Sequence, residues 1–183
     1  LNSIFANIMP KSVGKSCLPP LIGVRGGSAG DFTVTLLSEN EFMIIGSGMA
    51  ERYHQRFWNM VPMPLGVTFE SLTEAMCGFN VAGPKSRELL ERLTNESFST
   101  KEFPFMRSKR IELAGVVCVA LRVSFTGDLG WELHCDTSDQ QRLYKALLET
   151  GKLFGAGPVG ARALMSLRIE KGYGSWSREY SPE

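Results

Sequence analysis

Hydrophobic and polar residues alternate along two short stretches of the chain that are separated by a polar turn. Residues 31–38 (DFTVTLLS) and 41–47 (EFMIIGS) combine this alternation with β-branched and aromatic side chains. Ser38, Glu39 and Asn40 belong to residue types that favour turns. The pattern predicts a β-hairpin over residues 31–47. Apolar residues then recur at helical spacing, which predicts a helix over residues 50–61.

The rest of the chain continues this mixture of strands and helices. The predicted elements are two strands within 67–83 broken near Glu74, a helix over 84–94 opened by Pro84, a β region over 109–135 with turns at 114–115 and 126–128, and helices over 137–150 and 157–173. The helix over 137–150 is predicted to start with Thr137 or Ser138 as its cap, since a Gln follows three residues after each. This order of elements favours an α+β fold with antiparallel sheets and packed helices over a doubly wound parallel fold.

The first 30 residues differ from the rest in composition. They contain three prolines and five glycines, and they are therefore predicted to be irregular, with about one helical turn. Residues 1–30 are interpreted as an irregular N-terminal segment and residues 31–183 as the α+β domain. The chain starts at Leu1 without a Met and stops soon after a strong predicted helix, so it is expected to be a fragment truncated at both ends.

The charge balance and the length of the apolar runs exclude two classes of partner, nucleic acids and membranes. Twenty Lys and Arg residues stand against 19 Asp and Glu residues, without a basic block, so no nucleic-acid partner is predicted. No apolar run reaches the roughly 18 to 20 residues that cross a bilayer, so no membrane partner is predicted either. The four cysteines are widely spaced and form no CxxC pair; they are interpreted as reduced core thiols of an intracellular protein.

Three features that could carry chemistry are interpreted as structural. The glycine-rich GSGMAE (46–51) resembles a dinucleotide-binding turn, but Glu51 would bring a negative charge near a pyrophosphate, so a tight turn is the better interpretation. His54 lies within a predicted helix and His134 at a strand end. Two histidines without metal-binding spacing predict neither a metal site nor a hydrolytic triad.

Two carboxylates leave a functional alternative open. Asp31 follows the small residues of GGSAG, and it is either a residue that starts a strand or a ligand-facing acid that glycines leave accessible. Glu132 alternates with Trp131 and Leu133, so its side chain is expected on the opposite face from two large apolar residues. Glu132 is either a solvent-facing strand residue or a cleft carboxylate that accepts two parallel N–H bonds from a planar, amidine-like ring.

The order of several motifs resembles the folate-binding T-protein (aminomethyltransferase) family. The motifs are GGSAGDFTV, FMIIGSG, FNVAGPKSRELL, FPFM, SFTGDLGWELH and SLRIEKGY. Three segments, RGGSAGDFTVT, AERYHQRFW and SLRIEKGYGSW, resemble most closely the C-terminal folate domain of dimethylglycine and sarcosine dehydrogenases. The resemblance implies the T-protein fold of three subdomains around a central folate, including a ferredoxin-like α+β unit. It also implies that the family's C-terminal barrel and the flavin domain of these dehydrogenases are missing here.

The resemblance assigns roles to four residues of this sequence. Asp31 matches the second aspartate of the family motif GGxxDDxxV, the catalytic acidic residue near folate N10, which would position or help deprotonate that amine, while the first aspartate is Gly30 here. Glu132 matches the glutamate that holds the pterin ring. The remaining two are cofactor-binding candidates: Ser47, where T-proteins have Asn, and Arg162, the nearest replacement for an arginine that aligns with Leu164.

The function implied is a tetrahydrofolate-dependent one-carbon transfer module of a dimethylglycine or sarcosine dehydrogenase-like enzyme, yielding 5,10-methylenetetrahydrofolate. Its expected partners are tetrahydrofolate, a one-carbon amine donor and a flavin dehydrogenase domain, with FAD only in that missing domain. The expected compartment is a bacterial cytoplasm or a mitochondrial matrix. The alternatives are a glycine-cleavage aminomethyltransferase with a lipoyl carrier, a non-catalytic folate-binding or regulatory module, and an α+β interaction domain without a ligand.

Overall fold

The computed structural model describes residues 1–23 and 25–180, which fold into two compact units. The first unit comprises Leu1–Ser71 together with the segment that begins at Gly174, and the second comprises Leu72–Tyr173. Along the sequence, the second unit is therefore an insertion into the first. None of the helices formed by the described residues has the length and apolar character needed to span a bilayer.

The first unit consists of antiparallel strands and one helix. Its strands are β1 (Ser16–Cys17), β2 (Pro20–Ile22), β3 (Ser28–Asp31), β4 (Thr33–Ser38) and β5 (Glu41–Ile45). They form a sheet with the order β1-β4-β5 and a separate β2–β3 pair. A 3-10 turn (Gly48–Ala50) leads into α1 (Glu51–Met60). The predicted hairpin over 31–47 and the predicted helix over 50–61 are both confirmed in type and place.

Aromatic side chains form the core of the first unit. Phe5, Phe32 and Trp58 are buried, and their ring centroids lie 5.4 to 5.9 Å apart in edge-to-face contacts. Such pairs stabilise beyond the area that they bury. The first 30 residues are less irregular than their composition suggests, because Phe5 packs into this core and strands β1 to β3 begin there.

The second unit is one antiparallel sheet with helices. Its elements are β6 (Met76–Ala82), α2 (Ser86–Glu91), β7 (Ser108–Leu113), β8 (Val116–Leu121), β9 (Gly130–Asp136), α3 (Gln140–Gly151) and α4 (Ala161–Glu170). The strand order is β6-β9-β8-β7. Its core includes buried residues of the helices, the strands and the α2–β7 connection: Leu89, Leu90, Phe98, Phe103, Trp131, Leu133 and Leu143. The predicted α+β class is confirmed.

The first of the two strands predicted within residues 67–83 is wrong. Only β6 forms there, and residues 67–75 are turns and loop. Val67 and Phe69 remain exposed although they alternate with polar residues as the apolar half of a strand pattern. A strand needs a partner for its backbone N–H and C=O groups, and no paired strand is described for this segment.

Three helix starts also differ from the prediction. The turn before α3 is capped by Asp136, whose Oδ1 accepts the backbone N–H of Ser138 at 2.7 Å, rather than by Thr137 or Ser138. Helix α2 begins at Ser86, two residues after Pro84. The helix predicted over 157–173 is the shorter α4, because Gly160 at its start has extended backbone angles. These differences concern boundaries and leave the order of elements unchanged.

Candidate functional site

Asp31 lies at the end of β3, opposite Pro20 of β2, and its side chain is exposed. Its Oδ2 accepts the backbone N–H of Trp176 at 3.3 Å, although the two residues are 145 positions apart in sequence. The indole Nε1 of Trp176 donates to the carbonyl of Ser28 on the same strand at 2.9 Å. Trp176 therefore docks along β3 through two bonds, one of which orients a carboxylate that solvent and ligands can still reach.

Trp176 also packs on α1. Its ring stacks on Tyr53 with centroids 5.6 Å apart and planes inclined by 27°. It lies against His54 at 5.0 Å. In the sequence, Trp176 is only the last residue of the motif SLRIEKGYGSW, and the family resemblance assigns it no role. The Gly-Ser-Trp ending of SLRIEKGYGSW was the only signal available, and nothing in that signal indicates contact with Asp31.

His54 is buried behind β3 rather than exposed on its helix. It is 3% exposed, and its Nε2 has no hydrogen-bond partner among the described residues. A Cβ atom placed on Gly30 would lie 2.6 Å from that nitrogen. Burial lowers the pKa of the His54 imidazole, and a hydrogen bond with the Ala29 backbone and the charge of Asp31 oppose part of that shift. A neutral ring therefore fills the space that a side chain at position 30 would need.

Ser47 belongs to the same unit as Asp31. Thr33 of β4 pairs with Ile45 of β5, and Asp31 and Ser47 each lie two residues beyond that pair, at the same end of the hairpin. The Ser47 side chain is exposed, and its carbonyl accepts the backbone N–H of Ala50 in the following 3-10 turn. The structure thus brings two of the four predicted site residues to one end of one hairpin.

Glu132 lies on β9 of the second unit, between Asn80 of β6 and Leu121 of β8. Its side chain is 20% exposed, and its Oε2 lies 3.5 Å from the Nε2 of His134. Trp131 and Leu133 on either side are fully buried in the core. The predicted alternation is therefore confirmed, and the carboxylate lies on the opposite face of the sheet from the core.

Arg162 is exposed in the first turn of α4. The buried arginine of that helix is Arg168, which is 2% exposed and donates from Nη1 to the carbonyl of Tyr173 at 2.8 Å. Sequence reasoning missed Arg168, although it lies within the quoted motif SLRIEKGY. A strongly buried arginine is rare in proteins, so Arg168 is the residue of α4 with the more distinctive environment.

The second unit also contains a cavity of about 280 Å³ whose lining is mostly apolar. Leu164 and Leu167 of α4 contribute to it, whereas Glu132 and Arg162 do not. Its polar side chains are those of Asn80, Ser124, Thr126, Asp128 and Tyr144. The described residues contain no group of three or more His, Cys, Asp and Glu side chains that could hold a metal ion.

Comparison with known proteins places this geometry in a family. The model of the GCVT N-terminal domain matches residues 1–183. Mitochondrial dimethylglycine dehydrogenase of Mus musculus is 33% identical over 181 residues, which are 98% of this chain and 21% of that protein. Mitochondrial sarcosine dehydrogenase of Homo sapiens is 28% identical over 197 residues, with the same two coverages. The chain thus spans about a fifth of the length of these relatives.

A solved structure supports the fold. The glycine cleavage system aminomethyltransferase T from Bartonella henselae superposes with a TM-score of 0.76 at 20% identity, over 94% of this chain and 45% of that one. The predicted T-protein fold is therefore confirmed, as is the relationship to aminomethyltransferases and to dimethylglycine and sarcosine dehydrogenases. The chain belongs to the family defined by the GCVT N-terminal domain.

Proposed function

We propose that this chain is a tetrahydrofolate-dependent one-carbon transfer module of a dimethylglycine or sarcosine dehydrogenase-like enzyme. The observation that carries the proposal is an exposed carboxylate, Asp31, held by the backbone N–H of Trp176 within a family that includes aminomethyltransferases. Residues 31–183 are assigned to the folate-binding domain, with residues 1–30 as its N-terminal segment. Bound tetrahydrofolate supplies the amine nitrogens that accept the one-carbon unit as 5,10-methylenetetrahydrofolate.

Asp31 is assigned the acid–base role beside folate N10. One of its oxygens is occupied by the Trp176 N–H, which leaves the other free to accept a proton from an amine. A carboxylate fixed at one oxygen loses less freedom when the amine approaches, and such positioning lowers the barrier to transfer. Ser47, at the same end of the hairpin, is assigned a polar contact with the folate.

Glu132 is assigned to the pterin ring. A 2-amino-4-oxo pyrimidine edge presents two parallel N–H donors, and an ionised carboxylate accepts both in one plane. The 20% exposure of Glu132 suits this role, because a ligand can reach the carboxylate while the sheet restricts its movement. Arg162, exposed on α4, is assigned to the acidic tail of the folate.

The donor is proposed to be an N-methylated amino acid whose methyl group is oxidised by a flavin in a separate dehydrogenase domain. Tetrahydrofolate bound to this chain would take the iminium carbon through bonds from N5 and N10 as the iminium C=N bond breaks, and the demethylated amine would leave as an ammonium carrying the two protons that N5 and N10 lose. This chain would hold no flavin itself. The relatives named above are mitochondrial proteins, and a mitochondrial matrix or a bacterial cytoplasm is the proposed compartment. A lipoyl-bound aminomethyl donor, as used in glycine cleavage, is the alternative.

Titration calorimetry of the purified protein with tetrahydrofolate tests the proposal. Glu132→Ala should weaken binding by about tenfold to a hundredfold, since hydrogen bonds to charged groups contribute roughly 1.5–3 kcal/mol. Asp31→Asn should bind nearly as tightly as the unaltered protein. Glu112→Gln, which removes an exposed carboxylate from β7 of the same sheet, is the matched control and should not change the affinity.

A turnover assay separates catalysis from binding. With a flavin dehydrogenase and sarcosine or dimethylglycine as the donor, Asp31→Asn should slow formation of 5,10-methylenetetrahydrofolate by about a hundredfold or more. Equal turnover in Asp31→Asn would favour a non-catalytic folate-binding module. Turnover with the lipoyl-bound donor alone would favour the glycine-cleavage alternative. A melting temperature unaffected by folates would contradict the proposal and favour the alternative of an α+β interaction domain without a ligand.

A further inference from the structure

The carboxylate of Glu132 has a neighbour that the assigned function does not use. His134 lies two residues further along β9, on the same face of the sheet, with its Nε2 3.5 Å from Glu132 Oε2. That nitrogen is buried and has no hydrogen-bond partner among the described residues. The distance is slightly longer than a hydrogen bond, so a small rotation of either side chain would bring the two groups into contact.

The surroundings of His134 fix the position of its ring. Across β6, a Cβ atom on Gly78 would lie 3.1 Å from the His134 Nδ1, so the absence of a side chain there makes room for the imidazole. Across β8, its paired residue is the buried Val119, and that of Glu132 is the buried Leu121. The pair is thus flanked by apolar side chains on one side, and polar interactions are stronger where water is scarce.

We propose that His134 is a positioning residue for Glu132, which it holds in the orientation that a planar, two-donor ring requires. The inference rests on the proposed pterin contact of Glu132. A carboxylate oxygen accepts more than one hydrogen bond, so the Nε2–H of His134 can bind Oε2 on the side away from the ligand. The carboxylate then loses little rotational freedom when the ring binds, and fixing such a side chain changes affinity by about threefold to tenfold.

Calorimetry with tetrahydrofolate tests this role through two substitutions of one residue. His134→Phe keeps an aromatic ring over Gly78 but removes the donor, and it should weaken binding threefold to tenfold. His134→Gln retains an N–H donor at a similar reach and should restore most of the affinity. Both variants should melt within a few degrees of the unaltered protein, and Glu112→Gln again serves as the control of the same sheet.

The failure of this inference can be distinguished from the failure of the proposed function. If Glu132→Ala loses binding while His134→Phe binds as tightly as the unaltered protein, the positioning role is overturned and the pterin contact stands. If Glu132→Ala binds normally, the proposed pterin contact itself is contradicted. A second test needs no folate: NMR of the His134 ring nitrogens in the unaltered protein and in Glu132→Gln. If the two side chains are hydrogen-bonded, Glu132→Gln should shift the ¹⁵N resonances of the His134 ring, and unchanged resonances would overturn the proposal.

Discussion

Gly30 and His54 are in contact so close that position 30 has room for no side chain. A Cβ atom there would lie 2.6 Å from His54 Nε2 and 2.7 Å from a ring carbon of Phe32. The T-protein motif to which this stretch is similar has an aspartate at this position. The imidazole behind the strand therefore accounts for the glycine, since packing next to Asp31 leaves no space for the side chain that the motif has at this position.

Gly30→Ala should destabilise the protein by about 1–3 kcal/mol, the usual cost of an extra methyl group in a packed core. Gly48→Ala is the matched control, because a Cβ atom there meets nothing within 4 Å. Urea unfolding of both variants gives the difference. In a His54→Ala background the cost of Gly30→Ala should shrink, since the clashing ring is gone; equal costs in both backgrounds would show that the contact is not responsible.

The stability of the protein should fall as the pH is lowered through the range in which histidine titrates. Burial lowers the pKa of His54 from 6.5, so below that pH the unfolded chain binds a proton that the folded protein does not. The stabilisation is thus present above pH 6.5 and is lost as the pH falls through the lower, folded-state pKa. Urea midpoints between pH 7.5 and pH 5 measure the slope. His54→Leu should flatten it, and an unchanged slope would assign the effect to other groups.

The thiols of Cys118 and Cys135 should be unreactive in the folded protein at pH 8. Burial raises the pKa of Cys118 to about 11 and that of Cys135 to about 12, so almost no thiolate is present. Alkylation followed by mass spectrometry should label both residues only after unfolding. Rapid labelling of either thiol in the native protein would contradict this prediction.

The same two thiols should lower the free energy of unfolding at alkaline pH. The unfolded thiols ionise near pH 9.0 while the folded ones keep their protons, so unfolding becomes easier as the pH rises from 9 toward 11. Replacing Cys118 by Ala should reduce the slope of unfolding free energy against pH in this range. A slope that Cys118→Ala leaves unchanged would exclude this thiol as its cause.

Trp176→Phe should lower turnover clearly while it destabilises the folded protein only modestly. Phenylalanine keeps the stacking on Tyr53 but cannot donate to the Ser28 carbonyl, which costs about 1 kcal/mol of stability. Without that anchor, the Trp176 backbone N–H is held less firmly against Asp31, so kcat should fall while the KM for tetrahydrofolate stays the same. A rise in KM at constant kcat would instead place Trp176 in folate binding.

Local features of the sequence were the ones that could be predicted. The hairpin over 31–47 was predictable because its turn and both alternating strands lie within a short stretch of chain. The strand predicted at Val67 and Phe69 does not form, because an alternating pattern does not reveal whether a partner strand exists. The face of Glu132 was also predictable, since the pleat of a strand fixes it.

Contacts between distant residues were not predictable. The bond between Asp31 and Trp176 depends on how the chain returns to the first unit, and no spacing along the sequence encodes it. The cysteines are widely spaced in sequence and were interpreted as reduced core thiols, and that interpretation does not bring any two of them together. In the structure, Cys77 and Cys135 have sulfur atoms 3.5 Å apart, and Cys118 pairs with Cys135 on the next strand. Strand register brings these residues into one row, and register is set by the whole sheet.

The insertion of the second unit has a consequence for how the protein is made. Residues 1–71 leave the ribosome before the second unit, but Trp176, which packs into the first unit, follows only after all of Leu72–Tyr173 has been translated. Throughout that interval, Tyr53, His54 and Ser28 lack the indole that covers them in the finished fold. The Asp31 carboxylate thus gains its hydrogen bond from Trp176 only late in biosynthesis, when the inserted unit can already have folded.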